Sequence, residues 1–144
     1  MRRVAPLLIA AALVVTLWDG TAVAADRNDL TAYQGLGTWV DVFDYVPAFQ
    51  NAGDEPAVTT ASFDDMAHLG VKTVYLQAAQ DDERSPGDTV DRKLLGRMLR
   101  AAHDADLRVV AWYLPHFADV NADLRRLRAL MAFKSGGERC RIIS

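Results

Sequence analysis

Apolar residues are grouped along the chain in runs that predict an alternation of strands and helices. Residues 71–78 (VKTVYLQA) and 108–114 (RVVAWYL) are short runs rich in β-branched and aromatic residues, so each predicts a strand. Because the second run is apolar almost throughout, we expect it to be buried on both faces, as in parallel sheets covered by helices. Residues 37–44 (GTWVDVFD) predict an earlier strand. Pro115 cannot donate to a sheet, so the last of these strands should end before it.

After each predicted strand comes a segment whose apolar residues recur at helical intervals. Residues 91–104 give the strongest helical pattern, because one stripe holds Leu94, Leu95, Met98, Leu99 and Ala102. A shorter helix is predicted from Ser62, which with Asp65 resembles a capping box. A last helix follows a cap at Asp119 or Asn121. Its predicted apolar side holds Leu124, Leu127 and Leu130, and another side holds Arg125, Arg126 and Arg128.

These units repeat at a nearly constant interval. Residues 70–74 (GVKTV) align with residues 106–110 (DLRVV) at an offset of 36. The recurrence predicts an α/β fold of about three parallel β/α units, an incomplete TIM-barrel-like array. The same offset places a further strand near residue 143, so we expect residues 26–144 to be a partial barrel domain truncated before or within its fourth strand. A complete three-stranded α/β domain is the alternative.

The N-terminus has the pattern of a signal peptide. Arg2 and Arg3 precede an apolar run at residues 4–17, and residues 22–24 (AVA) match a small-residue cleavage site. The apolar run is shorter than the about 20 residues that span a membrane. We therefore expect residues 1–25 to be removed and the mature chain to be secreted without a membrane attachment. An uncleaved anchor is the alternative.

Composition narrows the possible ligands. The formal net charge of −3 over 144 residues does not favour nucleic-acid binding. Cys140 is the only cysteine, so an intrachain disulfide is excluded. The sequence has no metal-ligand pattern of His and Cys, no phosphate-binding glycine loop and no nucleophile elbow. Neither a metal nor an organic cofactor is expected, and the sequence gives no oligomeric state.

At GTWVDVFDY, VKTVYLQA and RVVAWYLPHF the chain resembles the N-terminal portion of secreted bacterial glycoside-hydrolase-like TIM-barrel proteins. The resemblance covers about residues 34–133 and depends on the residue pattern of the strands and on the order of the β/α units. It implies a protein outside the cell membrane that acts on or binds a polysaccharide or glycoconjugate. Many such proteins carry one catalytic carboxylate at the end of the fourth strand and another later. We expect this chain to lack both, and therefore to be inactive alone.

Candidate site residues lie near the C-terminal ends of the predicted strands, where α/β folds bind ligands. Asp41 is the candidate catalytic residue, because a carboxylate in an apolar strand must find partners; its structural alternative is a hydrogen bond to a neighbouring loop or strand. Gln77 and Tyr113 occupy matching repeat positions and offer hydrogen bonds to sugar hydroxyls. His116 follows in a loop, where an imidazole is suited to proton transfer or ligand binding. These four should border one concavity, and Trp112 is a further candidate substrate contact.

Two questions remain open from the sequence. Trp39, Tyr75 and Trp112 have the chemistry to stack on sugar rings, but packing against helices is favoured for aromatics in buried strands. Glycoside hydrolysis requires two carboxyl groups flanking the sugar bond, and only Asp41 is a plausible member of such a pair. The chain is therefore interpreted as part of a carbohydrate-active enzyme, as a secreted protein that binds carbohydrate or a partner without catalysis, or as a nonfunctional truncation product.

Overall fold

The computed structural model describes residues 30–135, 138–139 and 141–142. The predicted signal peptide and Cys140 lie outside the described residues. A parallel four-stranded sheet, in the order β1-β2-β3-β6, forms the centre of the fold. Its strands are β1 Leu36–Val40, β2 Val71–Gln77, β3 Arg108–Trp112 and β6 Arg141–Ile142. The predicted α/β class with parallel units is confirmed, and β6 lies where the repeat spacing predicts a further strand.

Four α-helices accompany the described strands, and they are α1 Val42–Tyr45, α2 Ser62–His68, α3 Arg92–Asp104 and α4 Val120–Ala132. Helix α3 begins at Asp91, whose carboxylate accepts hydrogen bonds from the backbone of Lys93 and Leu94. The sequence did not predict a short antiparallel hairpin formed by β4 Lys134–Ser135 and β5 Glu138–Arg139. In the described part of the chain, no helix is long and apolar enough to cross a membrane.

The predicted strand at residues 37–44 is wrong beyond Val40, and the reason is a helix cap. The Asp41 carboxylate accepts a 2.8 Å hydrogen bond from the backbone N of Phe43, and the Asp44 carboxylate accepts one of 2.9 Å from the backbone N of Asp41. This reciprocal capping box starts α1 and ends the strand. Local hydrogen bonding by two aspartates therefore prevails over the apolar alternation.

Two other predicted details at helix ends and faces are also wrong. Ser62 does not cap α2; Ala61 is the N-cap residue, and the Ser62 hydroxyl accepts a hydrogen bond from the backbone N of Thr59. In α4 the side chain of Leu124 is exposed, whereas Arg126 is buried on the same side as Leu130. The buried arginine is possible because ionic and polar partners meet it there, as described below.

The two faces of the sheet differ in what covers them. On one face, strand residues pack into an apolar core with the helices; these strand residues are Val40, Val74, Leu76, Val109 and Ala111. The helices supply Phe63, Leu95, Met98, Leu99 and Leu130. The opposite face carries Trp39, Tyr75, Gln77, Val110 and Trp112, as the paired register requires. We call this second side the open face.

A 3₁₀ turn at Thr31–Tyr33 lies over the amino-terminal end of the open face. There the Thr73 hydroxyl donates a 2.8 Å hydrogen bond to the carbonyl oxygen of Ala32, and both residues are buried. The Arg108 guanidinium donates to the Thr73 hydroxyl and to the Gln34 carbonyl in the same region. The turn therefore covers the amino-terminal end of the open face, and these contacts do not extend to the end that carries Trp39, Tyr75 and Trp112.

The register between β1 and β2 changes by one residue at the start of the strands. Leu36 pairs with Val71, but Gly37 pairs with Thr73, so Lys72 is an extra residue on β2. Beyond this irregularity Trp39 pairs with Tyr75. The shift places Gly37 and Trp39 on the open face.

Candidate functional site

The carboxyl ends of β1, β2 and β3 meet at one edge of the sheet, as parallel strands require, and the candidate residues are distributed along this edge. Gln77 ends β2 and is buried. Its Oε1 accepts a 3.2 Å hydrogen bond from the backbone N of Val42, and its Nε2 donates to the carbonyl of Ala79 and to Oε1 of Gln80. Gln77 thus links the start of α1 to the loop that follows β2.

Asp41 lies next to this link, because it directly precedes Val42. The structure therefore brings Asp41 and Gln77 together at the edge. The Asp41 side chain is half-buried and caps α1, a local structural role that differs from the predicted alternative of a hydrogen bond to a neighbouring loop or strand. A direct role in catalysis stays a prediction for Asp41.

Tyr113 follows β3 and is directed towards helix α4 on the covered face. Its hydroxyl donates a short hydrogen bond to the Asp123 carboxylate, whose other oxygen accepts a 3.0 Å bond from the backbone N of Phe117. Burial raises the pKa of Tyr113, and the bond to Asp123 raises it further. The same bond is the main cause of a lowered pKa at Asp123. Tyr113 therefore remains a neutral donor to an ionised carboxylate across the neutral range.

Asp81 connects the loop after β2 with the loop after β3 and with α4. One of its carboxylate oxygens accepts a 2.7 Å hydrogen bond from Nη2 of Arg126, and the other lies 3.2 Å from Nδ1 of His116. The Arg126 side chain is 10% exposed, whereas that of His116 is 70% exposed. Arg126 also reaches the Tyr113 hydroxyl at 3.4 Å. Tyr113 and His116 are therefore joined through Arg126 and Asp81, and the His116 ring extends into solvent.

The segment that carries Asp81 is held by a neighbouring ion pair. Arg84 makes two 2.8 Å hydrogen bonds to the Asp82 carboxylate, and its guanidinium lies 4.3 Å from the ring centroid of Phe49. The hydrogen bonds from Arg84 lower the pKa of Asp82 to about 2. Asp82 is therefore ionised at any physiological pH. Arg84 therefore links the loop beside Asp81 to the ring of Phe49.

Sequence reasoning did not identify Asp81, Asp123 or Arg126 as members of the site. A signal for two of them was present in α4, since Asp123, Arg126 and Leu130 are spaced by three and four residues. This spacing puts them on one side of a helix. Charged residues that share a helical side with a buried leucine need polar partners, so they mark a buried network. The partner Asp81 comes from a distant segment and had no comparable signal.

The aromatic side chains of the open face form a cluster of Trp39, Tyr75 and Trp112. The rings of Trp39 and Tyr75 stack with centroids 4.6 Å apart and an interplanar angle of 14°, and Trp112 meets Trp39 edge-on at 5.6 Å. The indole N–H of Trp112 donates a 3.1 Å bond to the Tyr75 carbonyl. Trp39 is 62% exposed. The favoured packing of these rings against helices is therefore wrong, because they lie on the other face.

Comparison with known proteins identifies no family for this chain. No family model matches it, and neither a curated protein nor a solved structure matches it at a significant level. Across the described ranges, 30–135 and the two short segments after it, no group of three or more His, Cys, Asp or Glu side chains is placed to hold a metal ion. The geometry of the edge and of the aromatic cluster therefore carries the functional proposal.

Proposed function

We propose that this chain is the N-terminal part of a secreted, glycoside-hydrolase-like β/α-barrel protein, and that it binds a polysaccharide or glycoconjugate without hydrolysing it alone. The ligand lies along the carboxyl edge of the sheet. The amino-terminal 25 residues act as a signal peptide, so binding takes place outside the cell membrane. Nucleic acid is not a ligand.

The observation that carries this proposal is the polar path along the edge. Gln77, at the end of β2, is bonded to Val42, the residue after Asp41, and Asp81, His116 and Arg126 continue the path past β3. The buried members of the path, Gln77 and Arg126, hold the loops at the edge in place, so that exposed groups beside them can meet sugar hydroxyls in a fixed arrangement. His116 is the most exposed of these groups and is therefore the one most available to a ligand.

The state of the carboxylates favours binding over hydrolysis by this part of the protein. A glycosidase needs one carboxylic acid with a raised pKa and a second carboxylate across the sugar bond. The pKa of Asp123 is shifted in the opposite direction, mainly by the Tyr113 hydroxyl. Asp41 caps a helix, and Asp81 is occupied by Arg126 and His116. We expect the missing acid to lie outside this chain.

The test is affinity electrophoresis and calorimetry of the secreted chain against a panel of soluble polysaccharides. We expect at least one polysaccharide to bind, and we expect His116→Ala to weaken that binding. His68→Ala is the matched control, because it removes an imidazole from α2 on the covered side of the sheet. A reducing-sugar assay of the same samples should detect no hydrolysis. Equal affinity of both histidine variants and the wild type would contradict the proposed site, and robust hydrolysis abolished by Asp41→Asn would make Asp41 catalytic.

A further inference from the structure

We infer that the aromatic cluster is a stacking site for one pyranose ring of the bound polysaccharide, with Trp39 as the principal contact. This inference deepens the proposed function and rests on it. The sequence favoured a packing role for these rings, so the assignment comes from the geometry of the open face.

The aromatic cluster exposes a flat apolar surface. Tyr75 covers one face of the Trp39 indole, since the two rings are 4.6 Å apart and nearly parallel. Trp39 nevertheless remains 62% exposed, so its opposite face is open to solvent. Trp112 meets it edge-on and is fixed by its bond to the Tyr75 carbonyl. The indole is therefore supported from behind and held in one orientation before any ligand arrives, which lowers the entropic cost of binding.

Polar groups lie at the periphery of the cluster. Among the described residues, neither the Trp39 indole N–H nor the Tyr75 hydroxyl has a hydrogen-bond partner. A dry contact with another apolar surface would leave both groups buried and unpaired, which costs about 1 to 3 kcal/mol for each group. A pyranose ring combines an apolar C–H face with a rim of hydroxyls. It can cover the indole and also satisfy the two polar groups.

The cluster lies on the same face of the sheet as Gln77. Tyr75 and Gln77 are two residues apart on β2, so they share the open face, and Gln77 pairs with Trp112. The cluster therefore continues directly to the edge where the polar path begins. A sugar ring on Trp39 places the next units of the same polysaccharide towards that edge.

The experiment measures binding of soluble cello-oligosaccharides and malto-oligosaccharides, and of the polysaccharide that binds the wild type, by tryptophan fluorescence and calorimetry on the full chain. We expect Trp39→Ala to weaken binding about tenfold, and Trp39→Phe to weaken it less because a stacking ring is retained. Leu69→Ala is the matched control, because Leu69 is 78% exposed and follows α2 on the covered side. Thermal unfolding of each variant checks that the fold is retained.

The outcomes separate the inference from the proposed function. If Trp39→Ala binds as the wild type does while His116→Ala binds weakly, the stacking site is wrong and the edge site stands. If the wild type binds no carbohydrate, both are wrong. If the wild type associates with itself and Trp39→Ala abolishes the association without a change in sugar binding, the cluster is an interface between copies and the inference fails.

Discussion

Gly37 and Tyr75 lie so close across β1 and β2 that a Cβ atom on Gly37 would be 2.7 Å from Cε2 of the tyrosine ring. The ring occupies the space that the missing side chain leaves, and in that position it stacks on Trp39. A glycine on an exposed strand is therefore part of the construction of the aromatic cluster. Its role here is close approach, because a larger residue would displace the ring.

Gly37→Ala should consequently disturb the cluster more than the fold. We expect a loss of about 1 kcal/mol in the free energy of unfolding, because the ring must move from a packed position. The near-ultraviolet circular dichroism of the aromatic side chains should change at the same time. Leu36→Ala on the same strand is the control, since Leu36 is exposed and faces the other way. An unchanged aromatic spectrum in Gly37→Ala would show that Tyr75 does not depend on this contact.

Gln77 should be essential for the local structure of the edge, whatever ligand it meets. Gln77→Ala leaves the backbone N of Val42 without its 3.2 Å acceptor in a buried environment. A loss of about 1 to 3 kcal/mol in the free energy of unfolding is expected, as for other unsatisfied buried donors. Chemical denaturation measures the loss. Gln34→Ala, at an exposed position, should be near neutral, and similar stabilities of the two variants would count against this role.

Acid stability should depend on Asp123. The Tyr113 hydroxyl lowers the pKa of Asp123 in the folded state. The stabilisation that the ionised carboxylate adds to the free energy of unfolding is therefore fully present above the unfolded aspartate pKa of about 3.9, and it is lost as the pH falls through the lower pKa of the folded state. Asp123→Asn should therefore be less stable at neutral pH and should lose less stability on acidification than the wild type. Unfolding curves between neutral pH and strong acid measure this. Asp88→Asn, which alters an exposed pair with Arg125, should follow the wild-type profile.

The processed amino terminus gives a test of secretion. The Ala-Val-Ala sequence at residues 22–24 predicts that the secreted protein begins at Ala25 or Asp26. Mass spectrometry of the culture supernatant of an expressing bacterium identifies the terminus directly. Recovery of the intact chain, from its first residue, only in the membrane fraction would instead support an uncleaved anchor.

The order of strands and helices was accessible from the sequence because it depends on local patterns. β2, β3 and α3 each have a clear apolar period, and α2 has a clear stop at Gly70, whose φ of 88° ends the helix in a conformation that favours glycine. The predicted strand at residues 37–44 is wrong beyond Val40 because these residues contain both a strand pattern and a helix-capping pattern. Asp41 and Asp44 are three residues apart, which suits a capping box, and the hydrogen bonds of that box end the strand in spite of the apolar alternation.

The site was less accessible, because it depends on contacts between distant segments. Asp81 and Arg126 are 45 residues apart, and neither segment alone indicates the other. Gln77 and Tyr113 were correctly assigned to one end of the sheet. Successive residues of a strand lie on opposite faces, however, so a shift of one residue decides whether a side chain lies on the covered face or on the open face. Tyr113 therefore turns towards α4, while Gln77 stays on the open side. The sequence predicts where a strand ends more readily than it predicts on which face of the sheet each side chain lies.

The extra residue at Lys72 has a consequence for how this protein tolerates insertions and deletions. Deletion of Lys72 would leave Leu36 opposite Val71 and Gly37 opposite Thr73, so Trp39 would stay opposite Tyr75. Deletion of Thr38 would instead make Gly37 and Trp39 neighbours in the chain, and neighbouring residues of a strand lie on opposite faces. The indole of Trp39 and the glycine that makes room for the Tyr75 ring would then be separated. The aromatic cluster should therefore tolerate the loss of a residue at the irregularity better than a loss within the regular part of β1.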